Sequence, residues 1–144
     1  MCPLAVDAAK HERRPLNTTG LQRWRDFVGS HDPAALWDAL HPDVVFESPV
    51  VHTPQRGRDI TFKYLTSVVK ILGGPTFRFT GEWTNDTGAV LEFANDIDGI
   101  TINGVDIITC DAEGRITRFK VMVRPLKAIN LLHRLMAEQL GKTP

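Results

Sequence analysis

Gly104-Val105-Asp106-Ile107-Ile108-Thr109-Cys110 reads as a buried strand, and the fold is built outward from it. The run is rich in β-branched residues and is bounded by turn residues. Alternation puts Ile102, Gly104, Asp106, Ile108 and Cys110 on one face, and Val105 and Ile107 on the other. A carboxylate set among so much apolar surface is costly to bury. It must find strong hydrogen-bond partners or stay protonated, and such a residue suggests a pocket.

The same alternation continues on both sides. Upstream, Asp98-Gly99 marks a tight hairpin turn back to a strand over 89–97. Asn85-Asp86-Thr87-Gly88 turns the chain again, to a strand over 76–84 in which Phe77, Phe79 and Trp83 alternate with Arg78, Thr80 and Glu82. Downstream, Asp111-Ala112-Glu113-Gly114 makes the next hairpin. Strand 115–124 then sets Thr117, Phe119, Val121 and Val123 against Arg118, Lys120 and Met122. Asn103-Gly104 reads as a bulge within strand 100–110. Pro125 opens a C-terminal helix carrying Leu126, Ile129, Leu132, Leu135, Met136 and Leu140.

Ahead of this meander the period changes to that of a helix. Thr19 followed by Gln22 fits a capping box, and Leu21, Trp24, Phe27 and Val28 form one apolar face. Asp32-Pro33 starts a second short helix with Ala35, Leu36, Ala39 and Leu40 on its buried side, ended by His41-Pro42-Asp43. Val44 to Ser48 is a short strand stopped by Pro49, and Pro54-Gln55-Arg56-Gly57 is a turn. A third helix runs from about Arg58 to Leu72, with Gly73-Gly74-Pro75 after it. Residues 1–17, with the basic cluster Lys10-His11-Glu12-Arg13-Arg14, read as a flexible tail, and 18–144 as a single domain. Helices segregated from an antiparallel sheet mean an α+β fold. A curved antiparallel sheet wrapped as a cone around the N-terminal helices would enclose a cavity.

Composition narrows the partners. The 144 residues suffice for one domain with a real core. Lys+Arg and Asp+Glu balance at 17 each, which gives no basic surface for nucleic acid or an anionic membrane. Cys2 and Cys110 make neither a disulfide framework nor a CxxC zinc site. No segment is apolar for long enough to span a bilayer, and Pro3-Leu4-Ala5-Val6 is too short for a signal peptide's apolar region. A cytoplasmic protein is expected.

Four phrases carry a resemblance. They are Leu21-Gln22-Arg23-Trp24, Phe46-Glu47-Ser48-Pro49-Val50, Val105-Asp106-Ile107 and Asp111-Ala112-Glu113-Gly114-Arg115-Ile116. With the element order they resemble the nuclear transport factor 2-like superfamily, and more narrowly its SnoaL-like and ketosteroid isomerase branch, whose isomerase motifs the first three resemble in type and order. The resemblance spans roughly residues 18 to 125 and implies a cystatin-like α+β barrel. Ketosteroid isomerases use an Asp base on the first strand, a Tyr from the first helix and a protonated Asp from a later strand. They are the standard example of a carboxylic acid held neutral by an apolar site. By that resemblance the base position is Ser48, the Tyr position is Trp24 and the protonated Asp position is Asp106. A Ser with no adjacent base cannot take a proton alpha to a carbonyl, so the resemblance does not imply steroid isomerisation. Limonene epoxide hydrolases, which resemble this fold too, need an Asp-Arg-Asp set. Leu91 to Asp96 supplies no Arg-x-Asp, and Arg118 and Arg124 stand on the face opposite Phe119. SnoaL-type cyclases use a cavity Asp, sometimes with a His, and Asp106 with His52 would play those parts.

The expected catalytic residues are therefore Asp106 and His52, with Trp24, Phe46, Ser48, Tyr64, Phe119 and Val121 lining the substrate site. Each has a plainer reading. Asp106 reads equally well as a structural acid bonded to Trp24 or a backbone amide, His52 as a loop histidine, and the aromatics as plain core. Glu92 reads as a sheet-face or dimer-interface acid, with cavity lining as the alternative, and His11, His31, His41 and His133 are scattered without zinc-ligand spacing. Neither a metal nor a cofactor is expected. The expected partner is a small apolar ligand, with a homodimer through the sheet face opposite the cavity and the C-terminal helix over the sheet or the cavity mouth.

Overall fold

The computed structural model describes residues 15–141. Two helices, α1 (Thr19–Ser30) and α2 (Pro33–Ala39), lead into strand β1 (Leu40–Glu47) and the two-residue β2 (Gln55–Arg56). Helix α3 (Arg58–Leu72) precedes a meander of β3 (Arg78–Thr84), β4 (Gly88–Ile97), β5 (Ile100–Cys110) and β6 (Ile116–Arg124). Helix α4 (Leu126–Gly141) completes the described chain. The six strands form one curled, unclosed sheet in the order β2-β1-β6-β5-β4-β3. The expected α+β architecture is present, with one departure from a purely antiparallel sheet. β1 runs parallel to β6, pairing Phe46 with Phe119. The chain reaches that flank only after α3 and the meander, so no hairpin fixes the direction.

The β4–β5 hairpin turns at Asp98 (φ 52°) and Gly99 (φ 75°), the pair of positive φ values that a two-residue turn matched to strand twist requires. Its ladder is unbroken from Gly88 opposite Thr109 to Ile97 opposite Ile100, so the bulge expected at Asn103-Gly104 is absent. Gly104 serves packing instead: a Cβ there would lie 2.5 Å from Phe93 Cζ, so the missing side chain makes room for that ring. Register shifts fall between Thr109 and Cys110 and between Phe79 and Gly81.

Helix α1 is fastened to the β5–β6 turn at close range. A Cβ on Gly20 would meet the Gly114 carbonyl oxygen at 2.2 Å. Thr18, not Thr19, is the cap residue and makes no side-chain cap bond; ahead of it Asn17 Oδ1 accepts the Thr19 amide (3.1 Å) and Asn17 Nδ2 donates to Ala112 O. Leu16 packs against the core ahead of it, while the basic cluster at 10–14 lies outside the described residues. With its start pinned, α1 lays Leu21, Trp24 and Phe27 onto the sheet. Helix α2 begins as expected, with Asp32 accepting the Ala34 amide. His41-Pro42-Asp43, expected as its terminator, instead belongs to β1. The end of α3 is tied to the sheet by buried Asn95, which donates to Leu72 O and accepts from Thr76. The core lies between the helices and the concave sheet face and includes Leu21, Leu65, Leu91, Ile108, Phe119 and Leu132.

Candidate functional site

Strand alternation aims Asp106 at the concave face, between Leu91 on β4 and Val121 on β6. It is 5% exposed. A pocket of about 30 Å³ adjoins it, lined by Trp24, Val68, Leu72, Phe77, Phe93 and Phe119 among others. That is room for one water or one ligand atom with its hydrogens. Burial disfavours the ionised carboxylate and raises Asp106 from 3.8 to about 7. The opposing influence is the indole N–H of Trp24. It lies near enough to favour the charge but does not close a hydrogen bond, because Nε1 is buried with no acceptor in bonding geometry among the described residues. A buried donor left unpaired costs about 1–3 kcal/mol. Asp106 and Trp24 therefore present a carboxyl group poised at neutrality beside a donor that lacks a partner.

A larger space of about 220 Å³ lies next to this pocket, with Val68 and Val121 lining both. It is an apolar cleft between β1, α3, β6 and the inner face of α4, lined by Phe46, Val50, Tyr64, Leu132, Met136 and Leu140 with their neighbours. A ladder of rings joins the two spaces. Trp24 meets Phe119 edge-on at 4.7 Å, Phe119 lies 6.3 Å from Phe46, and Phe46 lies 5.4 Å from Tyr64. Such contacts fix the walls in low-energy arrangements. Ser48, Tyr64 and His133 carry the polar side chains of the cleft wall. The Ser48 hydroxyl oxygen accepts the Val50 amide at 3.0 Å and the Val51 amide at 3.4 Å, which folds the chain sharply after β1.

The six residues expected to line a substrate site divide between the two spaces. Trp24 and Phe119 line the pocket, Phe46, Ser48 and Tyr64 line the cleft, and Val121 lines both. Asp106 and His52 are not brought together. The turn held by Ser48 directs Val50 and Val51 to the cleft and leaves His52 exposed, lining neither space. The residues that sequence reasoning missed come from α3 and α4: Val68, Leu132, His133 and Met136. Their helical spacing was visible, but the face turned to the cleft was not. Glu92 lies on the opposite face, where it accepts from Asn103 at 3.0 Å. Among the described residues no three His, Cys, Asp or Glu side chains gather closely enough to hold a metal ion.

Comparison with known proteins gives the family. The model described as a SnoaL-like domain matches residues 21–119. A solved steroid delta-isomerase from Pseudomonas aeruginosa is 30% identical, with 88% of this chain and 95% of that one covered and a TM-score of 0.81. A protein with a cystatin-like fold from Silicibacter pomeroyi is 25% identical, covering 88% and 89% of the two chains at a TM-score of 0.80. A putative polyketide cyclase from Sinorhizobium meliloti shares the fold at 16% identity, covering 72% and 93% at a TM-score of 0.58. No curated protein matches the chain.

Proposed function

The chain belongs to the SnoaL-like domain family, and from that footing we propose that it binds a small, largely apolar molecule and performs cofactor-free acid–base chemistry on it. The reaction would be an isomerisation, cyclisation or hydrolysis. The observation that carries this reading is the pairing of Asp106 with the unpartnered Trp24 N–H beside an apolar cleft. A neutral Asp106 donates a hydrogen bond, and Trp24 donates a second. One ligand oxygen can accept both, and two fixed donors in a dry site stabilise charge that develops on that oxygen. The pocket admits little more than the oxygen, so the carbon skeleton would occupy the cleft, reached by rotation of Val68 and Val121. Trp24, Phe46, Ser48, Tyr64, Phe119 and Val121 are the binding residues of this reading.

The likeness to a steroid delta-isomerase does not extend to the proton acceptor, since Ser48 stands at the base position and its hydroxyl is engaged by Val50 and Val51. That same engagement favours a second reading, a non-catalytic ligand-binding module. Thermal shift with terpenoid, steroid and polyketide-like compounds separates the two. A compound that binds wild type and Asp106→Asn equally, with no turnover, favours simple binding. Retained binding with turnover lost in Asp106→Asn favours catalysis. A panel with no binder refutes both.

The reading includes a homodimer through the convex sheet face. Trp83 (59% exposed) and Met122 (52% exposed) stand there beside the half-buried Val90, Val105 and Ile107. An exposed apolar patch of this kind marks an interaction surface. A cytoplasmic location accords with the free, buried thiol of Cys110. Among the described residues no helix is long and apolar enough to cross a membrane.

A further inference from the structure

We propose that His133, on the C-terminal helix, is the proton acceptor of the outer cleft, in place of the base that Ser48 cannot supply. The inference rests on the ligand-binding reading above and names its missing catalytic group. Three observations carry it.

The first is position. His133 and Ser48 line the same cleft from opposite elements, α4 and the end of β1. His133 lies three and four residues before Met136 and Ala137, so all three share one helix face, and that face is turned to the cleft. The second is elimination. Among the described residues the cleft wall holds no Asp, Glu, Lys or Arg, and its other polar side chains are the Ser48 and Tyr64 hydroxyls. An imidazole nitrogen carries a basic lone pair that the Ser48 and Tyr64 hydroxyls lack, so among the described residues of this wall His133 is the group that can take a proton. From α3 the ionisable group facing it is Tyr64, while β6 and the loop after β1 contribute none. On its own helix, neighbouring Arg134 is directed to Asp98 in the β4–β5 turn, at 3.8 Å. The third is exit. His133 is exposed to solvent on its other side, so a proton taken from the ligand can pass to water.

The step balances without a co-reactant. The imidazole lone pair takes a proton from a carbon made acidic by a neighbouring carbonyl or heteroatom. The C–H electron pair moves onto that activating group, where a donor holds the developing charge. The imidazolium then returns the proton elsewhere on the ligand or to water. The substrate class is thus an uncharged, mostly carbon molecule with one activated C–H bond. Helix α4 lies beyond the residues that match the family model.

Nitrobenzisoxazole tests this directly. It is apolar and of a size for the cleft, and one base removes its C–H proton while the N–O bond breaks, releasing a coloured cyanophenolate. Wild type should open it. His133→Gln should lower kcat by about tenfold or more with KM changed less than about twofold, while His52→Gln leaves both unchanged. Because His133 is exposed, the Gln variant should melt with wild type. Undiminished kcat in His133→Gln overturns the inference. Probe binding, followed by tryptophan fluorescence, tells that failure from a failure of the cavity reading. If wild type binds the probe, Val121→Trp blocks it and His133→Gln turns it over normally, the cleft stands and the base is elsewhere. If wild type does not bind the probe, or Val121→Trp leaves binding intact, both readings fall.

Discussion

Replacing Asp106 by Asn should stabilise the fold by an amount set by pH. In the unfolded chain the carboxyl loses its proton near 3.8, and in the folded protein burial holds it to about 7. Between those values the native state binds more protons than the unfolded state. Stability therefore falls as pH rises through that window, and the native contribution of the neutral acid is complete only below it. Each pH unit is worth about 1.4 kcal/mol, so roughly three units remove on the order of 4 kcal/mol by mild alkalinity. Asn has nearly the same shape and no charge at any pH. The variant should match wild type near about pH 4 and exceed it by up to ~4 kcal/mol near about pH 8. Urea unfolding of both proteins across that range measures the difference, and titrations common to the two cancel. A constant difference would refute the reasoning, since it would mean that Asp106 ionises in the folded protein as it does in the unfolded chain.

Trp24→Phe removes the one influence favouring the Asp106 carboxylate, so carbon NMR should place its titration above that of wild type. Gly20→Ala drives a Cβ into the Gly114 carbonyl oxygen, which as backbone has little freedom to retreat. It should destabilise by about 1–3 kcal/mol in chemical denaturation. Burial, aided by the charge of Asp111, pushes the Cys110 thiol up to about 11. In a Cys2→Ser variant it should resist disulfide reagents at neutral pH until the protein unfolds, and rapid reaction of the folded protein would contradict its burial.

The parts of the fold set by local chemistry were legible in the sequence. Helix α3 over Arg58–Leu72, strand β5 over Ile100–Cys110 and the Asp98-Gly99 turn follow from period and turn residues, and stand where expected. The misreadings arise where a distant partner decides. Leu40 looks like the last buried residue of a helix and His41-Pro42-Asp43 like its terminator, yet Leu40 finds Ile116 across the sheet and the strand begins there. Gln55-Arg56 looks like a turn, yet it pairs with Phe46 and Val45. Gly104 looked like a bulge because the ring of Phe93 that claims its space is a neighbour in the sheet, not in the chain. The site divides in the same way. Asp106 and the rings of Trp24, Phe46 and Phe119 are turned to the concave face by alternation and a pinned helix, so their direction was legible in the sequence. His52 sits in a loop whose direction is set by the Ser48 hydroxyl, and His133 on a helix whose docking face only the packed structure reveals.

The central claim is that Asp106 and Trp24 together receive one oxygen of an apolar ligand. A crystal structure with the tightest binder from the thermal-shift panel tests it most directly. The account predicts that oxygen within hydrogen-bond distance of both the Asp106 carboxyl and Trp24 Nε1, with the carbon skeleton running past Val121 toward Phe46 and Tyr64. A ligand seated on the convex face at Trp83, or in the cleft with its oxygens turned away from Asp106, would contradict it.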